Sequence, residues 1–313
     1  MPPRSLRLLG APTQLGLAPY PDGSPRRVDE APRALRERGL AARLGAADLG
    51  DVPAAPYRDL ERGTRPIRHA AEIAEHAARL ADRVARAAAP DARLLVVGGD
   101  CSILLGALLG LRRRAPGGRI GLIFIDGHCD FAPPELSRSG GAAGMDLALA
   151  VGAIDHPLAR LAGDSGPLVR PEEVALLARK DLADEPHYGA RSVRRSPVLD
   201  LPLDAVRAQG LAAIADRALG RVARAGLDGF WMHFDVDVLR PELMPAVDSP
   251  EPDGLTLEEA EALLARLLAH PAALGLEVTI YDPGLDPGGT CGERLVALLA
   301  AVARRVAHAQ PVA

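Results

Sequence analysis

The stretch IGLIFIDGHCD, residues 120–130, decides the fold. Ile120 to Ile125 form a short uncharged run, and the polar groups Asp126, His128 and Asp130 follow at alternate positions. The run is too short for a core helix, and it lacks the polar alternation of a strand with one wet face. It suits a strand buried on both faces, as in a parallel sheet. On an extended segment, residues two apart point the same way. Two carboxylates and an imidazole therefore converge just past the strand's carboxyl end, where open α/β sheets gather their ligands.

Working outward, residues 6–10, 94–98, 174–178, 229–234 and 274–280 read as further strands of the same nearly all-apolar kind. Residues 32–38, 67–88, 102–114, 203–225, 257–268 and 293–308, rich in Ala, Leu, Arg and Glu, read as helices. This alternation predicts an α/β protein with a mostly parallel sheet and helices on both faces. Residues 132–144 and 182–202 read as irregular loops. There is no internal repeat and no linker, so residues 1–313 are expected to form one domain.

Two more strand ends are polar. Gly98-Gly99-Asp100-Cys101-Ser102 is a tight turn into a helix. Its bland reading is a cap by Asp100 or Ser102. His233-Phe234-Asp235-Val236-Asp237 again sets two carboxylates at alternate positions. Four unpaired buried carboxylates are costly, and a divalent cation resolves that cost. A lone buried histidine is usually a satisfied core residue; His128 between two alternating carboxylates is not alone. Such oxygens and nitrogens suit manganese, zinc or iron.

Composition narrows the function classes. A net charge of −4 argues against a nucleic-acid surface, and 3% aromatic residues argue against base stacking. Three cysteines, Cys101, Cys129 and Cys291, make no disulfide framework; Cys129 and Cys291 read as core thiols. No signal peptide is visible, and no apolar run reaches the ~18 residues of a membrane helix. Cytoplasm is the expected compartment, with no membrane partner.

The ordered set Gly-Gly-Asp-Cys, Asp-Gly-His-Cys-Asp and Asp-Val-Asp resembles the arginase, agmatinase and formimidoylglutamase (ureohydrolase) superfamily. The superfamily patterns are Gly-Gly-Asp-His, Asp-Ala-His-x-Asp and Ser-x-Asp-x-Asp. Gly10-Ala11-Pro12, Ala31-Pro32-Arg33, Met244-Pro245-Ala246, Gly254-Leu255-Thr256, Leu276-Glu277 and Asp282-Pro283 extend the likeness along most of the chain. The resemblance implies a three-layer α/β/α sandwich around an eight-stranded parallel sheet, a small-molecule substrate and a homo-oligomer, trimer or hexamer. It also implies two Mn2+ ions. Asp126 and Asp235 would bridge both, Cys101 and Asp130 would complete one site, and His128 and Asp237 the other. A metal-bound hydroxide would then attack the sp² carbon of an amidine, ureido or amide group so that its linear C–N bond breaks, with Asp130 relaying the proton.

The chain departs from that pattern in ways that bear on function. Cys101 stands where a histidine ligand is expected. A thiolate and four carboxylates carry five negative charges against the four positive charges of two ions, and sulfur shifts preference towards Zn2+ or Fe2+ or leaves a single ion. Ala132, Gly141 and Ala143 replace two asparagines and a proton-shuttling histidine, although Ser139 is kept. Ile280 replaces a guanidinium-binding glutamate, and Glu277 sits at an odd offset from it. Ser139, Asp181 and Ser249 are the candidate substrate contacts. These departures predict a hydrolase that is not a true arginase. A mononuclear, deacetylase-like amidohydrolase and a non-catalytic metal-binding scaffold are the alternatives. His187 and Tyr188 read as a solvated loop.

Overall fold

The computed structural model describes residues 4–58, 66–183 and 192–308. One eight-stranded, all-parallel sheet runs through it. Its strands are β1 (Ser5–Ala11), β2 (Ala47–Asp51), β3 (Ala92–Gly98), β4 (Gly121–Ile125), β5 (Val174–Leu177), β6 (Leu199–Leu201), β7 (Phe230–Asp235) and β8 (Ala273–Thr279). They lie side by side in the order β2-β1-β3-β8-β7-β4-β5-β6.

The six expected strands are all present, with ends moved by one or two residues. The two that sequence did not suggest are the edges. β2 is polar and mostly exposed, and β6 has three residues and lies in the stretch expected to be irregular. An edge strand pairs on one side only, and polar, short edges are how sheets avoid further pairing.

Alternate residues of each strand enter different cores. In β4, Ile123 and Ile125 join one apolar cluster and Leu122 and Phe124 the other. The first cluster is covered by α1 (Ala31–Glu37), α6 (Leu203–Gln209), α7 (Leu211–Val222), α8 (Leu257–Ala269) and α9 (Thr290–His308). The second is covered by α3 (Ala70–Ala87), α4 (Ile103–Arg114) and the short α5 (Asp146–Ala150). A short α2 (Leu40–Leu44) packs on α9. The result is the expected α/β/α sandwich. Trp231 is fully buried, as a core residue should be.

Local chemistry explains the helix limits. The helix expected over 203–225 breaks at Gly210, whose φ of +81° ends α6. Thr256 and Glu259 form a reciprocal capping box at the start of α8. Gly106 and Gly110 let α4 lie close against α3; a Cβ at either would fall within 3.0 Å of α3 atoms. Among the described residues no helix is long and apolar enough to cross a membrane. The strand order places the carboxyl ends of β3, β8, β7 and β4 together at the middle of the sheet.

Candidate metal centre

Each polar strand end is built by backbone that leaves its side chains no alternative. After β3, a Cβ on Gly99 would overlap the Thr13 carbonyl oxygen, so only glycine fits. Asp100 then accepts from Ser102 N at 2.9 Å and Gly16 N at 3.1 Å. Asp100 thus braces the turn before the helix, whose N-cap Ser102 makes no side-chain cap bond, and Cys101 is left facing the site. After β4 and β7, three acids each fix one oxygen on a backbone amide and turn the other towards neighbouring side chains. Asp126 Oδ1 accepts from His128 N at 2.6 Å, Asp235 Oδ1 from Asp237 N at 2.8 Å, and Asp237 Oδ1 from Gly127 N at 3.0 Å.

The remaining donor atoms form two groups that could each hold an ion. One comprises Cys101, Asp126, His233 and Asp235; the other comprises Asp126, His128 and Asp237, with the donor atoms of each within 4.8 Å of one another. In the first, the Cys101 thiol donates to Asp235 Oδ2 at 2.9 Å. In the second, His128 Nδ1 lies 2.9 Å from Asp237 Oδ2. Asp126 belongs to both. Its Oδ2 is buried with no hydrogen-bond partner among the described residues, which is the signature of an oxygen waiting for a cation.

Asp130 belongs to neither group. The expected alternation fails there because the strand stops at Ile125 and Asp130 sits at a φ of +43°. It lines the adjoining cavity instead. Ala178 and Ile280, directly after β5 and β8, also have positive φ, at +68° and +71°. Strained backbone of this kind clusters at functional sites.

The cavity, about 770 Å³, is floored by Cys101, His128, Asp130, Asp235 and Asp237. Ser139, Asp181 and Ser249 line it, as do Ala132, Gly141, Ala143 and Ile280. Asp181 is already engaged. It accepts from Arg179 at 3.0 Å and from Cys129 N at 2.9 Å. His187 and Tyr188 lie outside the described residues.

The electrostatics are those of an acid cluster short of positive charge. Burial would raise the Asp126 pKa, but the His128 and His233 imidazoles outweigh it and hold it at about 2. Burial would lower His233, but the Asp126 and Glu277 carboxylates beside it raise it to about 10. Burial, then neighbouring carboxylates, pushes Asp130 and Asp235 well up. The Cys101 thiol rises for the same reasons.

Sequence reasoning did not assign three residues of this cluster. His233 lies on β7 with Nδ1 2.7 Å from Glu277 Oε1, and both are fully buried. Its spacing from Asp235 and Asp237 was the available signal. Asp146, at the start of α5, is also fully buried, and neither of its oxygens has a partner among the described residues. Burial, then Asp126 and Glu277, raises its pKa.

An arginase from Bacillus caldovelox is 28% identical over 302 residues, covering 95% of this chain and 97% of its own length. A crystal structure of arginase from that organism superposes with a TM-score of 0.82 at 26% identity, over 98% of this chain and 99% of that one. The formimidoylglutamase of Bacillus subtilis shares the fold, with a TM-score of 0.76 at 18% identity over 99% and 89% of the two chains. A sequence model of the arginase family matches residues 5–307. With nearly all of its length inside that match, and its fold shared with an arginase structure at 26% identity, the chain belongs to the arginase family of hydrolases.

Proposed function

We propose that this protein is a metal-dependent hydrolase that cleaves a linear C–N bond in a small amidine, ureido or amide substrate, and that arginine is not that substrate. Cys101, Asp126, His128, Asp235 and Asp237 are the residues to hold two divalent cations, with Asp130 in the cavity beside them. Mn2+ is the ion the resemblance favours, and Cys101 admits Zn2+ or Fe2+. Such cations supply a water of lowered pKa at neutral pH. Asp130, at the cavity floor with its pKa raised by burial and by Asp126, is the carboxyl that holds and passes a proton. The Ser139 and Ser249 hydroxyls and Asp181 are the polar groups available to a substrate. By resemblance the chain is one domain over residues 1–313, assembled as a cytoplasmic trimer or hexamer.

The observation that carries the substrate reading is the cavity wall at Ile280. A guanidinium needs a carboxylate partner to leave water favourably, and the side chain there is apolar and 3% exposed. The nearby acids are committed elsewhere. Glu277 is beneath the site against His233, Asp181 is held by Arg179, and Asp248 pairs with Arg26. Ala143, also in the wall, cannot protonate a leaving amine. General-acid help is worth ~10²–10⁴-fold, and a lost charge-assisted hydrogen bond costs a further ~1.5–3 kcal/mol. A neutral amide or ureido group brings no cation needing a partner. The test is urea release from arginine and agmatine by Mn-loaded protein, beside a panel of neutral ureido and amide compounds. Turnover of arginine within tenfold of an authentic arginase overturns the reading.

A further inference from the structure

Resting on the metal-centre reading above, we propose that His233, oriented by Glu277, is the imidazole ligand of the ion on the Cys101 side. That half then holds a thiolate, an imidazole and two carboxylates, a set that suits Zn2+ or Fe2+ better than Mn2+.

Four observations converge on this. First, the donor atoms of Cys101, Asp126, His233 and Asp235 lie within 4.8 Å of one another. Tetrahedral bonds of about 2.0–2.3 Å separate ligand atoms by about 3.3–3.8 Å. The observed pairs bracket that spacing, at 2.9 Å from Cys101 Sγ to Asp235 Oδ2 and 3.8 Å from His233 Nε2 to Asp126 Oδ2. Second, Nδ1 of His233 is engaged by Glu277 at 2.7 Å, which leaves Nε2 for the ion. A carboxylate behind a histidine is the usual outer partner of a metal-bound imidazole, fixing its tautomer and orientation. Third, the ring stacks on Phe124 at 4.3 Å with an 8° interplanar angle, so it cannot swing away cheaply. Fourth, the buried Asp126 Oδ2 in the same group has no hydrogen-bond partner among the described residues.

The chain lacks an imidazole at 101 and carries one at 233, across the same small volume. With four protein ligands this half is closed, as structural sites are, whereas the His128 half keeps room for a substrate. On binding, the Cys101 S–H proton is released to solvent and sulfur takes up the bond to the ion.

Cobalt is the probe that reads both halves. The full chain, stripped and reloaded with Co2+, is expected to bind two ions and to show a sulfur-to-cobalt charge-transfer band with intense tetrahedral d–d bands. Cys101→Ser removes the charge-transfer band. His233→Ser leaves one strongly bound ion and abolishes the tetrahedral bands. Glu277→Gln weakens the Cys101-side ion by about 10–100-fold while the other stays. Unchanged stoichiometry, affinity and spectrum in folded His233→Ser overturns the proposal. If that variant does not fold, X-ray absorption on the zinc-loaded protein decides. With the other half emptied by His128→Ala, sulfur and imidazole on the remaining zinc support it, and sulfur without imidazole, or zinc without sulfur, overturns it. A parent that binds one ion with no sulfur band defeats this inference but leaves the metal centre standing; a parent that binds none defeats both.

Discussion

The ends of β4 and β7 carry mirrored polar spacings with opposite fates. After β4, Asp126, His128 and Asp130 alternate; along β7, His233, Asp235 and Asp237 do. The strand stops before the first set but runs through the second as far as Asp235. His128 therefore lies in the cavity with its side chain 21% exposed, whereas His233 is sealed at 0% between Phe124 and Glu277. Neighbouring strands thus turn one spacing into an open half and a closed half. What decides between them is where each strand ends relative to its polar residues.

The contrast can be broken most severely at Asp126, the residue shared by both donor groups. Asp126→Ala is expected to strip both halves, lowering metal affinity by more than the ~10²-fold that losing an outer-shell partner costs. Asp235→Ala should empty the Cys101 half first. Metal analysis of the folded variants reads this, and two retained ions in Asp126→Ala would show that the groups do not share it.

The open half can be loosened alone. Arg179 is fully buried and binds Asp200 at 2.8 and 2.6 Å and Asp181 at 3.0 Å; Asp181 in turn fixes the Cys129 backbone beside His128. Removing one partner of a buried ion pair costs about 3–5 kcal/mol. Arg179→Met should lower stability by that amount in denaturant titrations and weaken the His128-side ion. Equal weakening of both ions would mean the halves are mechanically one.

Cys101→His alters only the closed half. Replacing thiolate by imidazole should move its preference from Zn2+ towards Mn2+ in competition measurements, with a smaller effect than either change above. No change in the Mn2+ to Zn2+ ratio would show that sulfur does not bind the ion.

The smallest expected effect lies outside both donor groups and serves as their baseline. His76, buried on α3 against the Val52 carbonyl at 3.1 Å, has its pKa lowered below the usual 6.5, chiefly by burial. A lowered histidine pKa means the unfolded chain takes up the proton first. The stability it protects is complete above about pH 6.5 and falls as pH drops below that, by at most ~1.4 kcal/mol per pH unit. His76→Gln should flatten the pH 7 to 5 slope of urea unfolding; an unchanged slope assigns the acid sensitivity elsewhere.

Most of this architecture was legible in the sequence because a strand buried on both faces must be apolar, and that left Asp126, His128, Asp235 and Asp237 conspicuous at the ends. β2 and β6 were not legible, since edges need no apolar run. Glu277 was read from its place in the family likeness and its offset from Ile280, not from any partner. Its real partner, His233, is 44 residues away in sequence and is brought beside it by β7–β8 pairing. Asp146 was hidden for a different reason. It follows the irregular stretch 132–144 with no polar residue spaced to pair with it, and only the packed fold shows it to be fully buried at the start of α5.

The strand order also sets a timetable. β3 and β4 are consecutive in the chain, yet β8 and β7 lie between them. Until residues 230–279 have been made, the sheet exists only as two separate leaves, β2-β1-β3 and β4-β5-β6, each with an unpaired inner edge. A ribosome adding ~5–20 residues per second leaves those edges open for several seconds while the intervening segment is synthesised. The same late pair that closes the gap delivers His233, Asp235, Asp237 and Glu277. The open inner edges and the incomplete set of candidate ligands therefore end together, once β7 and β8 are in place.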